Sequence, residues 1–161
     1  MSEVRTSRVK SRLSSEAFKS GGATVRDAVL RAEAAIELGR EAFVASIDAI
    51  LAELETGFGA GATTPAPRDP KRLYNLASAI IDISLCLRGT GIDKAAYALC
   101  DLCDLFGDLA VWDQQCVDIH IQVLKLLRHA DTSMSPAQRT WAIAGLVKVT
   151  ARRLGGYKSS R

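Results

Sequence analysis

The four cysteines of this 161-residue chain are the residues whose type and spacing most directly suggest chemistry. Cys100 and Cys103 form a CxxC pair, which occurs both in thioredoxin-like redox sites and in structural zinc sites. A redox pair is expected beside a strand, whereas this pair lies inside an apolar helical pattern. A zinc site needs two more ligands, and Cys86, Cys116 and His120 lack a second CxxC or an HxxxH to organise them. We therefore expect buried structural thiols, and we predict no cofactor and no metal.

The two histidines, His120 and His129, are the candidates for phosphoryl transfer. A phosphoacceptor imidazole needs an exposed position in the middle of a helix. His120 is flanked by Ile119 and Ile121 and has apolar neighbours three and four residues later, so we expect it to pack in the core. His129 falls at a helix end, where a cation interacts favourably with the helix dipole. Phosphotransfer through His120 is an alternative that requires an exposed ring.

Three aspartates, Asp101, Asp104 and Asp108, recur at three- and four-residue spacing on one helix face. We expect a solvated acidic face there rather than a divalent-cation site. The glycines of the GFGAG segment have neither the Lys-Ser/Thr ending nor the preceding strand of a phosphate-binding loop. The serines have no accompanying histidine and aspartate arrangement. The residues therefore give no support for an enzyme.

Composition favours an all-α fold and limits the partners. Hydrophobic residues make up 48% and aromatic residues 6%, so the core is aliphatic, and alanine and leucine are strong helix formers. The net charge of +3 comes from basic ends, whereas residues 22–150 are mildly acidic, which argues against a nucleic-acid-binding body. No apolar run approaches the roughly 18 residues of a membrane span, and the first residues lack the apolar region of a secretory signal. Together with free thiols, these features predict a cytoplasmic protein.

Apolar spacing and capping signals predict five helices in an antiparallel bundle of four to five helices. We expect helices from Thr24 to Thr56, Asp69 to Gly89, Asp93 to Gly107, Asp113 to Arg128 and Ser135 to Gly155. Asp69, Asp93, Asp113 and Ser135 are the expected caps. The predicted organisation is a basic flexible tail at 1–21, a single helical-bundle domain at 22–156 with a linker at 57–68, and a basic tail at 157–161.

Two helices carry specific predictions about which side faces the core. The first helix has one apolar stripe along most of its length, formed by Val25, Val29, Ala32, Ile36, Phe43, Ile47, Ile50 and Leu54. In the last helix, Trp141, Leu146 and Val149 are expected to point inward. These assignments follow from the period of about 3.6 residues per helical turn.

The segment YNLASAIIDISLCLRGTGIDKAAYALCDLCDLF, residues 74–106, reads as two apolar helices joined by an Arg-Gly-Thr-Gly turn. It resembles the central hairpin of a histidine-phosphotransfer domain. Counting ten residues back from Gly89 or Gly91 reaches Ala79 or Ile81, and neither accepts a phosphoryl group. The resemblance therefore implies a phosphotransfer-like scaffold that lacks the phosphoacceptor histidine.

A second resemblance covers residues 22 to about 150. The stretches GGATVRDAVLRAE, residues 74–106 and WDQQCVDIHIQVLKLLRHAD are similar to the small alphaproteobacterial chemotaxis accessory protein E family. This resemblance implies a place in signal transduction, in a chemotaxis or two-component system. The basic, serine-rich first residues also fit it.

We expect a non-catalytic signalling adaptor that binds a response-regulator receiver domain or a chemotaxis kinase. The predicted partner-binding residues lie on the second helix and in the following turn: Ala77, Ser78, Ala79, Asp82 and Arg88. Small side chains there leave room for a partner, and an arginine can bind a carboxylate. Two alternatives stay open, namely phosphotransfer through His120 and a structural homodimer formed through the long first helix.

Overall fold

The computed structural model describes residues 24–60, 68–84, 87, 89–130 and 133–158, with side chains described as far as Gly155. Helix α1 spans Val25–Phe58, α2 Pro70–Ser84, α3 Ile92–Leu109, α4 Gln114–His129 and α5 Pro136–Lys158. The described residues contain no strand, so the all-α prediction is confirmed for them. The predicted tail at 1–21, most of the linker, Cys86 and Arg88 lie outside the described residues.

The chain divides into two compact units, residues 1–38 and 39–161. In the first unit, the described residues are Thr24 and the part of α1 from Val25 to Leu38, and every one of them is exposed. Thr24 and Asp27 form a capping box: the Thr24 hydroxyl accepts a hydrogen bond from the Asp27 backbone N–H at 3.1 Å, and the Thr24 backbone N–H donates to the Asp27 carboxylate at 3.2 Å. These two bonds satisfy donors that the first turn of a helix leaves without partners.

The core of the second unit is centred on α3, which packs against α2, α4 and α5. The α2–α3 contact is the most extensive of these, so the predicted helical hairpin is present as a packed pair. The second half of α1 adds Ile47, Leu51, Leu54 and Phe58 to the same core. The buried side of α3 consists of Ile92, Ala95, Ala96, Leu99, Cys100, Leu102, Cys103 and Phe106.

Three of the predicted caps are confirmed. Asp69 and Asp113 each accept a hydrogen bond at 3.0 Å from the backbone N–H three residues later, at the starts of α2 and α4. Ser135 exchanges two hydrogen bonds with Gln138 at the start of α5. A side-chain oxygen that satisfies a free N–H at a helix start contributes about 1 kcal/mol, so these short polar residues define where the helices begin.

The predicted Asp93 cap is wrong. Helix α3 begins at Ile92 and its N-cap is Gly91, which has a φ of 79° and provides no side-chain hydrogen bond. Gly89 has a φ of 87°, so the turn places two glycines in the left-handed region. That backbone path is readily available only to glycine, and it starts the helix before Asp93. The Asp93 carboxylate instead lies in the first turn, where negative charge is favourable.

The helix ends predicted at glycine are also wrong. Helix α2 ends at Ser84, before the turn glycines, whereas α3 continues past Gly107 to Leu109, and α5 continues past Gly155 to Lys158. An internal glycine costs a helix only about 1 kcal/mol. Packing of buried neighbours such as Phe106 and Leu154 outweighs that cost. Helix α5 therefore includes the first two residues of the predicted tail at 157–161.

The inward side of α5 differs from the prediction at one residue. Leu146 is buried and Val149 half-buried, as expected, but Trp141 is 77% exposed. Trp141 and Leu146 are five residues apart, which places them about 140° apart around a helix with roughly 100° per residue. The two side chains therefore lie on nearly opposite sides of α5.

Polar contacts fix the helices of the second unit relative to one another. Arg139 of α5 donates from Nη1 to the Gly89 carbonyl at 2.7 Å and from Nη2 to the Ala130 carbonyl at 2.9 Å. It thereby joins α5 to the turn before α3 and to the end of α4. Three ion pairs connect the second half of α1 to α2 and α4, namely Glu53–Arg72, Glu55–Lys125 and Asp48–Arg128. Ion pairs with exposed members contribute about 0–1 kcal/mol each, so they align helices that the core already holds together.

Candidate functional site

The cysteines of the described residues are core residues. Cys100, Cys103 and Cys116 are free thiols and are buried, as predicted. Burial raises the pKa of Cys100 to about 11, assisted by Asp104 and Asp101. Burial also raises the pKa of Cys103 to about 12, assisted by Cys100 and Asp104. The thiolate is the reactive form of cysteine, so a redox or nucleophilic cysteine needs a lowered pKa. Burial raises the pKa of these thiols instead.

His120 is fully buried. Its Nδ1 lies 2.7 Å from the carbonyl oxygen of Cys116, one turn earlier. A carbonyl only accepts, so Nδ1 carries the proton and donates it, while Nε2 has no partner among the described residues. Burial lowers the pKa of His120, against the smaller opposing effect of the hydrogen bond. The expected packing is confirmed, and the ring lacks the exposure on which phosphotransfer through His120 depends.

The other candidate polar residues lie at the surface. Asp101, Asp104 and Asp108 are exposed, which confirms the solvated acidic face of α3. His129 is exposed in the last turn of α4, where it was expected. Among the described residues, no group of three His, Cys, Asp or Glu side chains is close enough together to hold a metal ion.

The predicted partner-binding residues divide between the core and the surface. Ala77 is fully buried, so its side chain is part of the core and is not available to a partner. Ser78 and Ala79 are half-buried, and Asp82 is exposed. Arg88 lies outside the described residues. The accessible part of the predicted surface is therefore the outer side of α2, formed by Ser78, Ala79 and Asp82, which we call the α2 outer face.

Asp113 and Arg153 form a charged pair where α5 passes the start of α4. Arg153 Nε donates to Asp113 Oδ2 at 2.7 Å, and its Nη1 donates to Gln115 Oε1 at 2.6 Å. Burial raises the pKa of the Asp113 carboxyl, but hydrogen bonds from Arg153 and from the Cys116 backbone N–H outweigh this, so the net pKa is below its ordinary value. Asp113 already caps α4, so this pair has a structural role in joining α5 to α4.

An apolar groove between α3 and α5 was not predicted. Its volume is about 370 Å³, and it is lined by Ala98, Asp101, Leu105, Val147, Thr150, Ala151, Leu154 and Gly155. Val147, at its edge, is 61% exposed. One signal in the sequence points to this surface: α5 has apolar residues on both sides of the helix, with Leu146 and Val147 adjacent. A helix that is apolar on both sides has more apolar surface than one neighbouring helix can cover.

None of the described helices combines the length and the apolar composition that crossing a membrane requires.

Taken together, the described residues form an all-α protein whose cysteines and His120 lie in the core and whose surface combines polar residues with several exposed apolar side chains. Comparison of the chain with protein-family models, with curated proteins and with solved structures gives no match.

Proposed function

We propose that this chain is a non-catalytic signalling adaptor that binds a response-regulator receiver domain, or the kinase that phosphorylates one, through the α2 outer face. The scaffold for this interaction is the α2–α3 hairpin, which we propose to be phosphotransfer-like. The observation that carries the proposal is the contrast between His120, which is fully buried, and the α2 outer face, which presents small and polar side chains.

The burial of the reactive groups supports a role in binding rather than in catalysis. A phosphoacceptor histidine must meet the phosphoryl donor, and His120 has no exposed surface. The three described cysteines are buried thiols with raised pKa values, so they are poor nucleophiles. The remaining histidine, His129, lies at a helix end rather than in the middle of a helix.

The α2 outer face has the composition of a transient protein interface. Asp82 is exposed and forms no ion pair with any described residue, so its charge is available to a partner. Ser78 and Ala79 are short, which allows the backbone of a partner helix or loop to approach closely. Non-obligate interfaces are about as polar as the rest of a protein surface, and this face fits that description better than the apolar α3–α5 groove does.

The proposal is tested by mixing the purified chain with receiver domains and kinases from the same organism. Binding is followed by calorimetry, and phosphoryl groups are followed on phosphate-affinity gels. We expect saturable binding to at least one partner, no phosphoryl group on this chain, and an unchanged lifetime of the phosphorylated receiver. Phosphate that appears on the chain, or an absence of binding to every receiver and kinase, overturns the proposal.

Two matched variants locate the binding surface. Asp82→Arg reverses a charge on the α2 outer face, and Asp101→Arg reverses another exposed charge, at the α3–α5 groove. We expect Asp82→Arg to weaken binding by about tenfold, since a reversed charge at an interface changes binding by roughly 1–2 kcal/mol. Asp101→Arg is expected to bind normally. The reverse result would assign the partner to the groove and remove the α2 outer face from the proposal.

A further inference from the structure

The first unit contains a helix with an apolar side that no described residue of that unit covers. Residues 24–38 are all exposed, and they include Val25 at 83%, Val29 at 49% and Ile36 at 41%. Together with Ala32, these residues recur at spacings of four, three and four, so they form one narrow stripe. Most helices in proteins are stabilised by packing of such a stripe against another surface, and this stripe therefore needs a surface that covers it.

The residues beside the stripe differ on its two flanks. Arg26 and Glu33 are seven residues apart on one flank, and Ala28 and Ala35 are seven residues apart on the other. In coiled-coil terms, the stripe occupies the a and d positions, the charges the e positions, and the alanines the g positions. Alanine at the g positions allows a second helix to approach closely on that flank.

We propose that this stripe binds the same stripe of a second copy of the chain, with the two helices antiparallel. Around a twofold axis between residues 30 and 31, Val25 lies opposite Ile36 of the second copy, and Val29 lies opposite its Ala32. Each of these layers therefore combines a larger with a smaller side chain, and the two central Val–Ala layers are smaller than the two outer Val–Ile layers. The interface is isologous, because each residue pairing occurs twice.

The charges select this arrangement over the nearest alternatives. In the proposed register, Arg26 of each copy faces Glu33 of the other, and Ala28 faces Ala35. Sliding one helix by a heptad places Glu33 opposite Glu33 of the second copy, which is repulsive. In a parallel pair, the e positions face the g positions of the second helix, so the two charges would face only alanine.

The overlap is short, which predicts weak association. The stripe from Val25 to Ile36 is about 18 Å long at roughly 1.5 Å per residue. Two helices in contact over that length bury less than the area of about 1,200 Å² that marks the low end of specific stable interfaces. We therefore expect a dissociation constant in the micromolar range, on the order of 10–100 μM.

Sedimentation equilibrium of the full chain across this concentration range tests the proposal. We expect a monomer–dimer equilibrium that Ile36→Glu abolishes. Leu38→Glu is the matched control, because Leu38 is 90% exposed and lies on the side of the helix away from the stripe. A chain that is monomeric throughout, or an equal effect of the two variants, overturns the proposal.

Charge exchange tests the register. Glu33→Arg is expected to weaken association by about tenfold, because two attractive pairs become repulsive and each such pair contributes roughly 0.2–0.5 kcal/mol in either direction. The double variant Arg26→Glu with Glu33→Arg restores the pairs and is expected to restore the dissociation constant. If the double variant stays as weak as Glu33→Arg alone, the proposed register is wrong.

Cysteine cross-linking tests the orientation. Because Val29 faces Ala32 of the second copy, a mixture of Val29→Cys and Ala32→Cys chains treated with a mild thiol oxidant is expected to form the mixed disulfide, whereas neither variant alone cross-links efficiently. Cross-linking of Val29→Cys with itself would show a parallel pair and overturn the antiparallel arrangement.

Discussion

Two glycines in the turn before α3 provide a matched pair of substitutions. Gly89 has a φ of 87° and Gly91 a φ of 79°, so alanine at either position is held in the left-handed region. The surroundings differ: a Cβ at Gly89 meets nothing within 4 Å, whereas a Cβ at Gly91 would lie 2.8 Å from Ile143 Cδ1. The two substitutions therefore share a backbone penalty, and only Gly91→Ala adds a steric one.

The magnitudes follow from these two terms. Left-handed backbone costs a non-glycine residue about 1–2 kcal/mol, and the reduced freedom of the unfolded chain offsets part of this. We therefore expect Gly89→Ala to lower the free energy of unfolding by about 1 kcal/mol. Carbon atoms in contact lie about 3.5–4.0 Å apart, so the Ile143 methyl must move by about 0.7 Å or more. Overpacking of this kind costs roughly 1–3 kcal/mol, and a half-buried terminal methyl belongs at the low end. Gly91→Ala should therefore lose about 2 kcal/mol.

Urea unfolding followed by circular dichroism measures both losses, and a double-mutant cycle separates the two terms. Ile143→Val removes the Cδ1 methyl, so in that background Gly91→Ala should cost only the backbone term of about 1 kcal/mol. Equal losses at Gly89 and Gly91, or a Gly91→Ala loss that is unchanged in the Ile143→Val background, would refute the steric reasoning.

Three further predictions concern buried or capping groups. The pKa of His120 is lower in the folded chain than in the unfolded chain, so, as the pH falls, the unfolded chain binds a proton before the folded chain does. The free energy of unfolding should therefore fall as the pH drops below about 6.5, and His120→Leu should remove this dependence in urea titrations between about pH 6.5 and 5. Cys100 and Cys103, with pKa values of about 11 and 12, should be alkylated only as fast as the protein unfolds; faster modification in mapped mass spectra would contradict their burial. Asp113→Ala removes both the α4 cap and the Arg153 pair and should cost about 1–2 kcal/mol, whereas Asp113→Asn, which keeps the cap acceptor, should lose less in the same urea assay.

Helix starts were predictable from the sequence where a side chain makes the cap. Asp69, Asp113 and Ser135 act through hydrogen bonds to residues only three positions away, so the local sequence contains the whole interaction. Helix ends were not predictable from glycine alone. Whether a helix continues past Gly107 depends on packing from distant parts of the chain, and a single-residue propensity of about 1 kcal/mol does not decide it.

The candidate site was predictable only in part, for two physical reasons. Ala77, Ser78 and Ala79 are consecutive, and successive residues point about 100° apart around a helix, so these three could not share one outward face. Ala77 is buried in the core, whereas Ser78 and Ala79 are half-buried at the surface. The α3–α5 groove arises from the relative placement of two helices that are distant in sequence, and periodicity within either helix contains no information about that placement.

The apolar stripe of α1 shows what periodicity does and does not specify. The same three- and four-residue spacing occurs at Val25, Val29 and Ile36 in the first unit and at Ile47 and Leu54 in the second, yet the former are exposed and the latter fully buried. Periodicity therefore predicts which side of a helix is apolar, whereas the burial of that side depends on whether another surface is available to cover it. For Ile47 and Leu54, that surface is the core of the second unit. For Val25, Val29 and Ile36, no described residue of their unit provides such a surface. Arg26 and Glu33 lie beside this stripe seven residues apart, so they can pair only between two chains, and a second copy is therefore the surface that fits.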